Sequence, residues 1–190
     1  MQSIKVWVKF NNWLIIWFLI SIPLILSSCL LIKPGAVKSA KKLYETFFVG
    51  EEGTQYFIKP LFFKSSDNDN QIDIDFTFRY KNKIEGTSVI NYSFLTNKVI
   101  KTLDSLVIEN SNYKMTLSKN DLLFNERNKQ GFKSRFTTKL PLDQLSLLFN
   151  NSNWHINIYF NGSKDSFSPS KRTKKNIKAL NYNLFILFDL

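Results

Sequence analysis

The chain has 190 residues, 44% hydrophobic and 15% aromatic, and sets 26 lysines and arginines against 15 acidic residues for a formal net charge of +11. One cysteine and one histidine exclude an internal disulfide and any zinc site, which needs several such ligands. Lysine outnumbers arginine 22 to 4 and alanine occurs three times, a bias that fits an AT-rich genome and accounts for part of the basicity. The first element in chain order is apolar. Lys5 and Lys9 precede Trp13 to Leu26, an almost uninterrupted hydrocarbon run that closes on Leu26-Ser27-Ser28-Cys29. A positive start, an apolar middle and a small-residue exit make up a secretory signal.

The small residues here lead to a cysteine rather than to an Ala-x-Ala-like cleavage site. The run Leu26-Ser27-Ser28-Cys29 resembles the lipobox of bacterial lipoproteins, a branched aliphatic and two small residues before an acylated cysteine. The resemblance covers about the first thirty residues and implies that Cys29 becomes a lipidated N-terminus, anchoring the protein to a membrane. Because Leu30 rather than an aspartate follows, it implies the outer membrane; with no acidic cluster after Cys29, it implies a domain facing the periplasm. An uncleaved span is the alternative, since Trp13 to Ile32 is long enough to cross a bilayer at about 20 residues. A buried core thiol is a third reading of Cys29. The expected organisation is a signal peptide over 1–28, a lipidated tether over 29–42 and a single β-rich domain over 43–190. Removing 1–28, which holds Lys5, Lys9 and no acid, leaves 162 residues with a formal +9.

From Leu43 onward the hydrophobic period is two. Gln71 to Tyr80 alternates over ten residues, with Ile72, Ile74, Phe76, Phe78 and Tyr80 on one face, and predicts a half-buried antiparallel strand. Shorter alternations predict strands at Ile90–Phe94, Tyr113–Leu117, Phe132–Phe136 and Trp154–Phe160. Tyr56 to Phe63 is apolar on both faces and reads as a central strand, with Pro60 demanding a bulge or an edge. Gly50-Glu51-Glu52-Gly53, Ser65 to Asn70, Glu85-Gly86, Gln130-Gly131 and Gly162-Ser163 supply turns. The fold class is therefore mainly β: an antiparallel sandwich or meander of about seven to eight strands. Pro141 to Phe149 predicts a short inserted helix with Pro141 at its first position. Ser168-Pro169-Ser170 starts a C-terminal amphipathic helix over 170–190, carrying Ile177, Leu180, Leu184, Leu187 and Phe188; a final strand over 184–188 is the alternative.

Little of this carries chemistry. His155 falls on the polar face of its strand with Asn153, Asn157 and Tyr159, and no Gly-x-Ser-x-Gly elbow accompanies any serine. Asp67, Asp69, Asp73 and Asp75 cluster, but a calcium loop counted from Asp67 puts Ile72 where glycine belongs and Phe78 where glutamate belongs. No metal site, catalytic residue or cofactor is assigned. The basic pattern is the remaining candidate. Lys171, Lys174, Lys175 and Lys178 form a helical stripe beside Arg172, and Lys133, Arg135 and Lys139 share one strand face, so both could meet anions. A solvated face of a lysine-rich chain is the simpler reading of both. Nucleic acid is a poor partner for an exported domain whose aromatics face the core. The expected function is a non-enzymatic, membrane-tethered module that binds another envelope component, a protein among them. A carrier of lipid or small apolar ligands and a carboxylate-based hydrolase are the alternatives.

Overall fold

A computed structural model describes residues 43–67, 69–81 and 86–187, all within one compact unit, Val37–Leu190. The signal peptide, Cys29 and the tether over 29–42 lie outside the described residues. The cleanest alternation in the sequence is the strand β3, Gln71–Tyr80, in which Ile72, Ile74, Phe76 and Phe78 are buried. Nine further strands join it in one antiparallel sheet: β1 (Tyr44–Phe48), β2 (Thr54–Ser65), β4 (Thr87–Thr96), β5 (Ser105–Glu109), β6 (Lys114–Leu117), β7 (Asp121–Asn128), β8 (Gly131–Pro141), β9 (His155–Phe160) and β10 (Ser163–Pro169). The order is β6-β5-β9-β10-β2-β3-β4-β8-β7, with β1 also paired to β2. The ten strands exceed the seven or eight expected, because four of them lack the alternation by which the others are recognised.

Strand β2 is central. It pairs with β3 along one side, and with β1 and then β10 along the other. Its register shifts between Ile58 and Leu61, where Lys59 and Pro60 oppose the single residue Asp75. This is the bulge that Pro60 demanded, placing a residue without an N–H where the ladder is already interrupted. The β9–β10 hairpin turns through Asn161 and Gly162 at φ 49° and 73°, both left-handed, and Phe160 pairs directly with Ser163. Asn-Gly is the dipeptide that a two-residue hairpin loop of this hand favours.

The sheet curls until its halves face each other. Phe94 on β4 meets Phe160 and Phe167, on β9 and β10, edge-on at 5.7 and 5.5 Å. Laid flat, β4 and β10 would sit three strand spacings apart, about 14 Å. Two helices help cover the inner face. The first, α1 (Leu142–Phe149), buries Leu142, Leu145, Leu148 and Phe149 as its spacing predicts. Pro141 is its N-cap, in extended conformation, rather than its first helical residue. The second, α2 (Lys171–Asn183), starts from Ser170, whose hydroxyl accepts from the Thr173 N–H at 3.1 Å; the Thr173 hydroxyl donates to the Phe62 carbonyl at 2.7 Å. This helix is shorter than the 170–190 expected. It ends at Asn183, followed by a 3-10 turn over Phe185–Leu187, because Phe185 turns inward to stack on Phe149 at 4.2 Å. From there a run of rings continues through Trp154 and Phe76 to Phe63, at centroid spacings of 4.8 to 6.2 Å.

Candidate functional site

Strands β5 and β9 pair so that Glu109 stands directly opposite His155. Beside them the chain forms a cleft of about 560 Å³. The β5–β6 turn contributes Asn110 and Ser111, the entry to β9 contributes Asn153 and Trp154, and Lys174 reaches the cleft from α2. Its walls are held by local hydrogen bonds. The Asn110 side chain accepts from the Asn112 and Tyr113 N–H groups at 2.9 and 2.8 Å and donates to the Leu148 carbonyl at 2.8 Å, tying the turn to the end of α1. The Trp154 indole donates to the carbonyls of Asn151 and Leu148 at 2.7 and 3.0 Å, so a buried ring forms part of a fixed floor.

The cleft therefore gathers one carboxylate, one imidazole, one ammonium and several amides. The Glu109 carboxylate receives Asn157 at 3.3 Å and lies 3.5 Å from the Lys114 ammonium. His155 is exposed, as its strand face predicts. Asn157, expected beside it on the polar face, is instead buried, because β5 and β10 flank it and the Ser166 hydroxyl donates to its carbonyl oxygen at 2.7 Å. Among the described residues no three His, Cys, Asp or Glu side chains are placed to hold a metal ion.

The cationic residues fall into two settings. Lys171, Arg172, Lys174, Lys175 and Lys178 are all exposed on α2, and none has an ion-pair partner among the described residues. Lys171, Arg172 and Lys174 lie in the first turn of the helix, where the macrodipole is already positive, so each adds unfavourably to its neighbours unless an anion is present; Lys175 and Lys178 follow further along it. Lys133, Arg135 and Lys139 do share the outer face of β8, turned away from the ring core, but Arg135 is not a free cation. It donates to Asp75 at 2.6 Å and to Ser93 at 2.8 Å, with the two charged side chains only 22% and 17% exposed. Asn91 donates to the other oxygen of Asp75 at 3.0 Å.

Asp73 lies one step along the same face, within a smaller cleft of about 130 Å³ that also holds Lys133. Burial pushes the Asp73 carboxyl above its ordinary range, against the opposing pull of Lys133, a hydrogen bond with Ser93, and Arg135. Asp75 is thus a half-buried counter-charge and Asp73 a half-buried carboxyl that burial drives toward its neutral form; Asp67 lies in the loop before the strand. The sequence separates these acids from the bases of β8 by about sixty positions, and only the β3-β4-β8 pairing brings them together.

No family model matches this chain, and neither a curated protein nor a solved structure matches it. Among the described residues no helix is long and apolar enough to cross a membrane.

Proposed function

We propose that this protein is a non-enzymatic lipoprotein of the cell envelope. In this reading lipid on Cys29 holds it to the outer membrane, and the domain, facing the periplasm, binds an anionic component of that envelope. The observation that carries the binding half is the set of five exposed cations on α2, without ion-pair partners among the described residues, of which Lys174 lines the Glu109–His155 cleft. Intrinsic helix stability would favour acids at the first-turn positions, so an anionic partner supplies what the domain itself withholds. The lipobox-like run carries the anchoring half. Tethering then raises the local concentration of domain and partner without requiring strong contacts.

The non-enzymatic reading is proposed for a cleft whose lining holds one imidazole, His155, and one carboxylate, Glu109. An interior packed with Trp154, Phe149 and Phe185 gives the apolar-carrier alternative no observation in its favour.

Two experiments test the two halves. Radiolabelled palmitate should enter the wild-type chain and not Cys29→Ala; label in both ends the lipid anchor. For binding, Lys171→Glu/Lys174→Glu/Lys175→Glu should lose a salt-sensitive partner that co-purifies with wild type from detergent-solubilised envelopes, while Lys139→Glu should keep it. Equal recovery by all three forms rejects the α2 surface.

A further inference from the structure

We infer that the outer face of the β1–β2 pair lies against the bilayer and is the domain's contact with anionic phospholipid; this rests on the anchored reading above. The first strand of the described domain is also one of its most apolar surfaces. Phe47, Phe48 and Phe57 are 57%, 80% and 40% exposed, where the rings of the core show at most 2%. Phe47 and Phe57 meet edge-on at 5.5 Å on the face turned away from the core, and Phe48 and Val49 project at the tip of the same hairpin. An exposed aromatic cluster of this kind marks an interaction surface. Aromatic rings are also the side chains that settle at the headgroup level of a membrane.

Chain continuity selects the bilayer as the occupant. With lipid on Cys29, thirteen residues (30–42) separate the anchor from Leu43; with an uncleaved span closing at Ile32, ten do (33–42). Even fully extended, the longer of the two linkers reaches about 45 Å. The patch is therefore confined close to the bilayer whether the anchor is lipid or an uncleaved span. Confinement by a short linker corresponds to roughly millimolar effective concentration, so a contact of only millimolar affinity would be occupied much of the time.

Charge agrees. Of the nearby carboxylates, Glu45 pairs with Lys59 at 2.8 Å and Glu52 pairs with Arg79, which leaves Glu51. By sequence, the stretch 33–42 between the apolar run and the domain carries Lys33, Lys38, Lys41 and Lys42 and no acidic residue, a composition that favours an anionic surface. The exposed Leu122, Leu123 and Phe124 have no such continuity with the anchor, because β7 lies four strands from β2 at the end of the sheet.

The test places a nitroxide on Phe48→Cys in the full chain, reconstituted in phosphatidylethanolamine–phosphatidylglycerol vesicles, with wild type as the spectral blank and Leu123→Cys as the control. Retention through a carbonate wash is scored on the same samples. A severalfold higher ratio of oxygen to nickel-chelate accessibility is expected at position 48, on the hairpin tip, than at position 123, and Phe57→Cys, on the outer face itself, should show the same excess. Equal ratios on chain that survives the wash overturn the contact and leave the anchor standing. Release by carbonate removes the anchor, and the inference falls with it.

Discussion

Asp75 and Arg135 are a partly desolvated pair whose remaining bonding capacity is taken up by Asn91 and Ser93. Removing one partner strands the other, and a hydrogen bond to a charged group contributes about 1.5–3 kcal/mol. Arg135→Ala should therefore lower the unfolding free energy by about that amount in urea, while Lys139→Ala, on the same face but exposed, should stay within about 0.5 kcal/mol of wild type. Asp73 makes a different prediction. Its carboxyl titrates above the ordinary 3.8 in the folded state, chiefly through burial. A raised folded value means that the fold prefers the protonated acid, so its contribution is full below the unfolded pKa and is lost as pH rises through the folded one. Asp73→Asn, which stays neutral, should gain on wild type between about pH 3 and pH 7, the pH region around an unfolded carboxyl's own titration. Urea midpoints at the two ends check this, and a gap that does not widen refutes it. The sequence showed both acids and both bases as polar-face residues. It could not show that Asp75 and Arg135 neutralise each other, because that depends on which strand lies between β3 and β8.

At the level of elements, legibility followed the physics of each strand. β3 and β8 bury one face cleanly, and β4 and β9 depart from that only at the polar residues Ser93 and Asn157, so all four sequences alternate. β7 does not: all eight of its residues are exposed, and Leu123 is an extra residue in its register between Leu122 and Phe124. β10 buries only Phe167, β5 buries Leu106, Val107 and Ile108 consecutively, and β1 turns most of its residues outward. None of these produces a period of two. The candidate cleft was illegible for a related reason, since Glu109, His155 and Lys174 come from three elements that meet only through the β5–β9 register and the seating of α2. Turns were legible where glycine has no substitute, and two of them can be contrasted. Gly162 and Gly131 both have positive φ, but a Cβ at Gly162 would meet open space, whereas at Gly131 it would fall 2.1 Å from the Thr96 carbonyl oxygen. Thr96 pairs with Phe132, so that carbonyl cannot move without opening the β4–β8 ladder. Gly162→Ala should cost the left-handed penalty alone, about 1–2 kcal/mol. Gly131→Ala should cost clearly more, and at about 2–4 °C of melting temperature per kcal/mol the difference is readable by thermal denaturation.

For the molecule as a whole, a chain with no possible disulfide depends on its ring core, and that core is completed from the far end of the sequence. Leu184 and Phe185 follow α2 and are 1% and 0% exposed; Phe185 stacks on Phe149 of α1 and touches Phe78 of β3 at 5.8 Å. Two residues thus join a helix packed on the sheet, the C-terminal segment and the central strand. Emptying a buried phenylalanine site costs about 3–5 kcal/mol and a buried leucine site about 2–5 kcal/mol. Together they approach the entire stability of an ordinary domain, about 5–15 kcal/mol. A chain ending at Asn183 keeps all of α2 yet loses both side chains. It should show no cooperative thermal transition, together with loss of near-ultraviolet circular dichroism from the packed aromatics. A full-length chain carrying Tyr182→Ala, an exposed position on the same helix, should melt within a few degrees of wild type. If the Asn183 truncation still unfolds cooperatively at a similar temperature, the ring column is not what closes this core, and α2 must be held by its Thr173–Phe62 hydrogen bond and the burial of Ile177 and Leu180 alone.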